Sequence, residues 1–308
     1  MALVFVTGGS GFIGRALIER LIDEGHAVRA LARSDAAAET VRSLGARPVR
    51  GELTNPDSWD DALCDVAAVF HLAAETDVLA DRSRHEQVTV EGTRALVEMA
   101  RQAGVSRFVL CGSEAALLAG DPLVEIDETA PLRPDSEAAY SAAKAASEAI
   151  VLGAGTTDFA TVSIRPRFVW GPGSVVTDGL VDIARGGRFG WIEGGQQITD
   201  VTFVGNAVEG LILGWKRGHS GQAYFVTDQH RVVFRDFMQT VFDIYGVDGE
   251  IPELDREEAV QQFPIPFSWF LGQECTLRTD KAVVELAYTP VVSQEAGLTA
   301  LRHHVASV

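Results

Sequence analysis

The sequence predicts an α/β fold: a doubly wound parallel sheet with a smaller C-terminal domain interleaved with its last elements. Three observations carry that prediction. Through the first 165 residues, short apolar runs alternate with longer amphipathic ones, as strands buried on both faces do with the helices that cover them. A glycine-rich turn, Thr7-Gly8-Gly9-Ser10-Gly11-Phe12-Ile13-Gly14, joins the first apolar run to the first helix. After Arg165 the rhythm breaks, and Pro, Gly and Trp punctuate residues 166–195.

Residues 3–6, 27–32, 48–50, 67–72, 108–111 and 161–165 read as buried strands, and 223–226 as a later one. A helix over 12–24 places Ile13, Leu17 and Leu21 on one face, and Gly25 stops it. Asn55-Pro56 is an N-cap and first-turn pair for a helix running to Leu63. Longer helical patterns cover 83–103 and 137–152, and a shorter one covers 206–215. The domain expectation is therefore 1–165 plus about 198–228 for the sheet domain, and about 166–197 with 229–308 for the smaller one.

Bulk properties exclude several function classes. A net charge of −17 over 308 residues argues against nucleic-acid or anionic-membrane partners, which need a basic patch to displace counterions. Apolar runs fall short of the roughly 18–20 residues that a membrane span needs, and the N-terminus carries no signal-peptide pattern. A cytoplasmic location is the expectation. Cys64, Cys111 and Cys275 are widely spaced and odd in number, which suits reduced thiols rather than a disulfide framework or a zinc site. No metal is expected.

The glycine turn sits between a strand and a helix, where such a string has a mechanical meaning. Gly8, Gly11 and Gly14, with Ser10, Phe12 and Ile13, permit a tight turn, bring backbone up to a pyrophosphate and let the helix pack on the sheet. The helix N-terminus then faces the negative charge. The first domain thus reads as a dinucleotide-binding Rossmann domain. Its second strand ends Leu31-Ala32-Arg33-Ser34, lacking the acid that accepts from an NAD ribose. Arg33 and Ser34 suit a 2′-phosphate instead, so NADP(H) is the expected cofactor, with NAD(H) the alternative. Asp35 argues the other way, as does the reading of Arg33 as a solvated surface residue.

Tyr140-Ser141-Ala142-Ala143-Lys144 places a tyrosine and a lysine one turn apart on an Ala-rich helix. A phenol is a poor acid or base at neutral pH unless a neighbouring cation lowers its pKa, which Lys144 is placed to do. Ser113 follows the fifth strand at the carboxyl edge of the sheet, where it can hydrogen-bond a substrate oxygen.

The chain resembles the extended short-chain dehydrogenase/reductases over nearly its whole length. The resemblance rests on Thr7–Gly14, His71-Leu72-Ala73-Ala74, Val90-Glu91-Gly92-Thr93, Tyr140–Lys144 and Arg165-Pro166-Arg167-Phe168-Val169-Trp170-Gly171-Pro172-Gly173. It implies that Tyr140 is the acid/base, Lys144 its modulator and ribose anchor, and Ser113 the carbonyl-polarising group. It also implies that Leu72, Ala73, Ala74, Pro166, Phe168 and Val169 line the nicotinamide half. Glu52 and Leu53 fall near the adenine, Glu75, Arg167 and Phe168 near the substrate, and the helices over 83–103 and 137–152 in a homodimer bundle. One departure is Thr89, which stands where the family carries the asparagine of a water relay.

Two positions bear on the substrate. The family's nucleotide-sugar enzymes usually have asparagine where this chain has Phe168, and an arginine in the stretch that reads Gln197-Ile198-Thr199-Asp200-Val201 here. Residues 201–207 resemble instead the 3β-hydroxysteroid dehydrogenase-like and dihydroflavonol reductase-like branch. The apolar stretch 263–270 reads either as a lid over a hydrophobic substrate or as ordinary core packing. The expected reaction is hydride transfer between NADP(H) and a secondary alcohol or ketone on a fairly apolar small molecule. The alternatives are an NDP-sugar epimerase or dehydratase with recycled cofactor, and a non-catalytic NADP(H) sensor.

Overall fold

Seven parallel strands form the central sheet: β1 (Leu3–Thr7), β2 (Ala27–Ala32), β3 (Arg47–Arg50), β4 (Ala68–His71), β5 (Arg107–Cys111) and the strands Ala160–Pro166 and Gln222–Val226. Their order is β3-β2-β1-β4-β5, then Ala160–Pro166, then Gln222–Val226 at the edge. The computed structural model describes residues 1–307; Val308 and the side chains of Asp60 and Pro266, the latter within the apolar stretch 263–270, lie outside the described residues. The chain leaves β1 toward β2 on one side and returns as β4 on the other. The crevice at the carboxyl ends of β1 and β4 is where such a sheet binds ligands.

Five helices bear on the site: α1 (Phe12–Asp23), α2 (Asp35–Ser43), α3 (Arg82–His85), α4 (Gly92–Gln102) and α5 (Ala139–Gly153). Between α3 and α4 the chain stays helical but widens into a π turn over Glu86–Glu91. The helix expected over 83–103 is therefore one element with a bulge at Thr89. Two hydroxyls account for it: Thr93 donates to the Thr89 carbonyl, and Thr89 accepts from the Glu75 amide at 2.9 Å.

The helix expected from Asn55 to Leu63 does not form. Two 3₁₀ turns, Pro56–Ser58 and Asp60–Leu63, replace it, and the Asn55 side chain caps neither. Trp59 breaks the run at φ −151°. Its indole N–H donates to the Glu52 carbonyl at 2.8 Å and its ring stacks on Phe5 at 5.6 Å. Burying a large ring with its one donor satisfied outweighs a local helix signal.

Two apolar clusters cover the faces of the sheet, one gathering α1 and the helix Val204–Arg217, the other α4 and the end of α5. A further cluster is aromatic and built from later sequence, including Phe168, Trp170, Trp191, Phe234, Phe237 and Phe242. Asp228 pins it to the sheet, accepting from the Trp170 indole, the Phe203 amide and Asn206. Among the described residues no helix is long and apolar enough to cross a membrane.

Candidate active site

The glycine turn is held by steric necessity. Gly8 has φ +73°, and a Cβ there would meet the Ala73 amide nitrogen at 2.8 Å. At Gly14 a Cβ would lie 2.1 Å from the Gly8 carbonyl oxygen, so α1 reaches the turn only with glycine at both places. Gly11 caps α1 without a side-chain hydrogen bond, and its first turn holds no acid. The free N–H groups of that turn suit an anionic pyrophosphate.

Behind the turn lies a buried polar chain. His71 Nδ1 is 2.7 Å from Thr7 Oγ1, and Nε2 is 2.9 Å from Thr93 Oγ1. Thr93 gives its proton to the Thr89 carbonyl, and Thr7 accepts from the Ala73 amide at 3.2 Å. Each hydroxyl has one proton, so Nε2 of His71 donates to Thr93, and Nδ1 accepts from Thr7. Burial, with a smaller push from Lys144, lowers the His71 pKa to about 3, in keeping with a neutral ring. This chain ties β1, β4 and the helix containing Thr89, and sets the Ala73-Ala74 backbone against Gly8.

Tyr140 and Lys144 sit on one face of α5. One turn further on, Glu148 anchors that face to the sheet, accepting from Arg165 Nε at 2.8 Å and from Ser163 Oγ at 3.0 Å. Lys144 Nζ donates to the Cys111 carbonyl at 2.8 Å, and burial pulls its pKa below the usual lysine value. Burial, then the nearby Glu114 carboxylate, pushes the Tyr140 pKa well above the ordinary phenol range, while a hydrogen bond with Ser113 acts in the opposite sense. Lys144 is not among the groups behind this upward shift. In this arrangement the ammonium serves a carbonyl, and Glu114 is the charge felt by the phenol. Ser113 is also partly committed, donating to Glu114 Oε2 at 2.8 Å and accepting from the Ala115 amide.

The glycine turn, Ser113, Glu114, Tyr140 and Lys144 open on one cavity of about 460 Å³. Gly8, Gly11, Phe12, Ile13 and Gly14 form one end, with Leu72 and Ala74 beside them. Ser113, Tyr140 and Lys144 form the middle, while Pro166, Phe168 and Val169 continue the wall. Phe168 has φ +37°, a left-handed conformation that asparagine tolerates better than a bulky ring. Its ring stays because it packs edge-on to Phe270 at 5.0 Å and Phe237 at 6.1 Å.

The remaining expected residues lie outside that lining. Ser10 is in the turn but not on the wall, and Ala73 supports the wall through its amide. Arg33 and Ser34 are exposed past β2, with the Ser34 hydroxyl accepting from the Ala37 amide to cap α2. Glu52 is exposed; Leu53 is buried beneath Gly92. Glu75 is turned to Arg84 at 3.1 Å, and Arg167 is buried behind Glu114. The stretch 263–270 splits between its two readings: Phe263 joins the aromatic core, while Phe267 and Phe270 reach the cavity.

Sequence reading missed Glu114, the roles of Thr7, His71 and Thr93, and the apolar contribution of Val78, Val175 and Val176. Glu114 had a signal. It is a lone charge in the otherwise uncharged run Cys111–Leu118, where an unpaired carboxylate would be costly.

The sequence profile of the 3-beta hydroxysteroid dehydrogenase/isomerase family matches residues 5–255. The chain belongs to that family. Its similarity to the 4-hydroxy-2-methyl-3-oxo-4-farnesyl-3,4-dihydroquinoline-1-oxide ketoreductase of Stigmatella aurantiaca is 37% identity, over 97% of this chain and 95% of that one. It is 29% identical to the 2-alkyl-3-oxoalkanoate reductase of Stenotrophomonas maltophilia (97% and 98% covered), and 32% identical to a 3-beta-hydroxysteroid dehydrogenase of Mycolicibacterium neoaurum (77% and 69%). The solved UDP-glucose 4-epimerase of Thermotoga maritima superposes with TM-score 0.83 at 19% identity, each chain covered to 99%, a likeness of fold alone. This member of the 3-beta hydroxysteroid dehydrogenase/isomerase family is an NAD(P)-dependent oxidoreductase acting on alcohol and ketone groups.

Proposed function

We propose that the protein reduces the ketone of a fairly apolar small molecule with NADPH, reversibly, using Tyr140 as acid/base, Lys144 as ribose anchor and Ser113, its hydroxyl turned from Glu114 to the ligand, to steady the carbonyl oxygen. The observation that carries this reading is the cavity itself. Its glycine end and its tyrosine share one space, and Lys144 is the one cationic side chain among the described residues that line it. A nucleotide-sugar diphosphate needs cationic or backbone partners when buried, and the far wall offers Phe168, Phe267 and Phe270 instead. The ketoreductase relative from Stigmatella aurantiaca, named for a farnesylated 3-oxo ring system, is consistent with such a wall.

The nicotinamide cofactor supplies the hydride when bound. Gly8, Gly14 and the open first turn of α1 fit its pyrophosphate. Lys144, which lines the same cavity, would hold the ribose hydroxyls by exchanging the Cys111 carbonyl for them. Tyr140 carries its proton in this arrangement, the state from which it donates in reduction, although a phenol shifted upward is a weaker acid than an ordinary one. For NADP(H) over NAD(H), the support is that the end of β2 carries cations: Arg50 donates to the Ala32 carbonyl at 3.3 Å and draws Asp35 to 3.4 Å. Arg33 is left exposed, and Arg50 adds a second cation that the sequence reading did not use. A homodimer through α4 and α5 belongs to the same proposal, and light scattering tests it.

The decisive experiment follows NADPH absorbance with a panel of steroid, aryl and alkyl ketones, for wild type and Tyr140→Phe. The variant is expected to lose ~10²–10⁴-fold in kcat while binding the cofactor normally. Wild-type turnover in Tyr140→Phe would overturn the assignment.

A further inference from the structure

Glu114 is a buried carboxylate that the acid/base assignment leaves idle. It is 4% exposed, yet it lines the cavity next to Ser113 and Tyr140. Arg167 Nη1 donates to Oε1 at 2.7 Å, and the Ser113 hydroxyl donates to Oε2 at 2.8 Å. Arg167, 1% exposed, cannot swing out to meet a ligand. Its Nε donates to Thr199 Oγ1 at 3.3 Å, its Nη2 to the Phe270 carbonyl at 3.2 Å, and its plane lies over the Phe270 ring at 4.5 Å.

A carboxylate offers about four acceptor directions. Two are filled here, leaving acceptor capacity beside the place where a substrate carbonyl meets Tyr140. The adjoining wall is apolar: Leu118, Val175, Val176, Phe168, Phe267 and Phe270. A seated ligand that shuts water out leaves that capacity unmet unless it brings a donor. An anionic group in the same place would face Glu114, with Arg167 held behind the carboxylate and already paired.

We propose that Glu114, fixed by Arg167, selects substrates that carry a hydroxyl or N–H within two or three bonds of the reacting carbonyl, on an apolar and otherwise uncharged skeleton. Ketones with a neighbouring carboxylate are discriminated against. The inference rests on the ketone-reductase reading and narrows its substrate class.

The test is a cycle of substrates against variants, read as kcat/KM with NADPH. The substrates are 2-hydroxyacetophenone, acetophenone and benzoylacetate, and the enzymes are wild type, Glu114→Gln and the double variant Glu114→Leu with Arg167→Met. The double variant removes both charges together, so no unpaired guanidinium is buried, and it carries the test if Glu114→Gln does not fold. Wild type is expected to prefer the hydroxyketone over acetophenone by about 10-fold, the scale of a hydrogen bond to a charged acceptor, and to turn over benzoylacetate least. Both variants are expected to shrink the hydroxyl preference to roughly 2–3-fold and to narrow the gap to benzoylacetate. The inference is overturned if wild type shows no hydroxyl preference, or if the preference survives in the double variant. If wild type reduces none of the three while still binding NADPH, the reductase reading falls and takes this inference with it.

Discussion

One wall of the cavity is backbone: Gly8, Gly11 and Gly14 with Leu72 and Ala74 just past the end of β4, backed by Thr7, His71 and Thr93. The opposite wall is side chains: Phe168 from the segment after strand Ala160–Pro166, and Phe267 and Phe270 from the helix Ile265–Gly272. The first wall tolerates almost no added atom, since its spacing is set by carbonyls and amides that cannot move independently. The second is a set of rings, Phe168 edge-on to Phe270 and Phe267 tilted against it, which can repack around a different ligand. A shared cofactor calls for the first kind of surface and a varied substrate for the second.

That contrast can be broken at either wall. Gly14→Ala is expected to act most strongly, because the new Cβ would sit 2.1 Å from the Gly8 oxygen. A destabilisation of ~1–3 kcal/mol, with loss of nucleotide binding by about 10–100-fold, should appear in denaturant melts and fluorescence titration. An unchanged nucleotide affinity would mean that the turn does not cradle the cofactor.

His71 tests the chain behind the same wall through pH. Its folded pKa is held at about 3, against about 6.5 for an unfolded histidine. Below about 6.5 the unfolded chain binds the proton and the folded one does not, so stability is full above that value and is lost as pH falls toward 3. Between pH 7 and 5 this histidine alone should remove about 2 kcal/mol. His71→Gln, which keeps a donor toward Thr93 but has no titrating ring, should flatten that portion of the stability curve. Parallel curves for the two proteins would refute the assignment.

On the apolar wall, Phe270→Ala is expected to lower kcat/KM for apolar ketones by about 10-fold and to leave NADPH affinity nearly unaltered. Equal losses for substrate and cofactor would erase the distinction between the walls. The smallest effect belongs to Arg33→Ala, an exposed residue. It should raise KM for NADPH by roughly 5-fold and barely touch NADH. A uniform change for both cofactors would remove Arg33 from the 2′-phosphate.

The legibility of the two walls differs for a physical reason. Local rules place strands, the glycine turn and the one-turn spacing of Tyr140 and Lys144, because each is a matter of neighbouring residues and backbone sterics. The helix predicted over 55–63 failed where the Trp59 ring found a distant partner in Phe5. The stretch 263–270 stayed ambiguous because periodicity cannot say which ring meets the core and which meets the cavity. Glu114 is seen as a ligand-facing group only once Arg167, 53 positions later, is placed behind it.

By itself, then, the sequence determined the parallel sheet, the site of the glycine turn and the residue types available for hydride chemistry, since these follow from hydrophobic period, glycine geometry and helical spacing. Tertiary structure alone decided the electrostatics. It set Lys144 on the Cys111 carbonyl, gave Tyr140 a carboxylate neighbour and fixed the proton positions of His71. Charges act across space in a low-dielectric interior, and their distances are not written in any local window of residues.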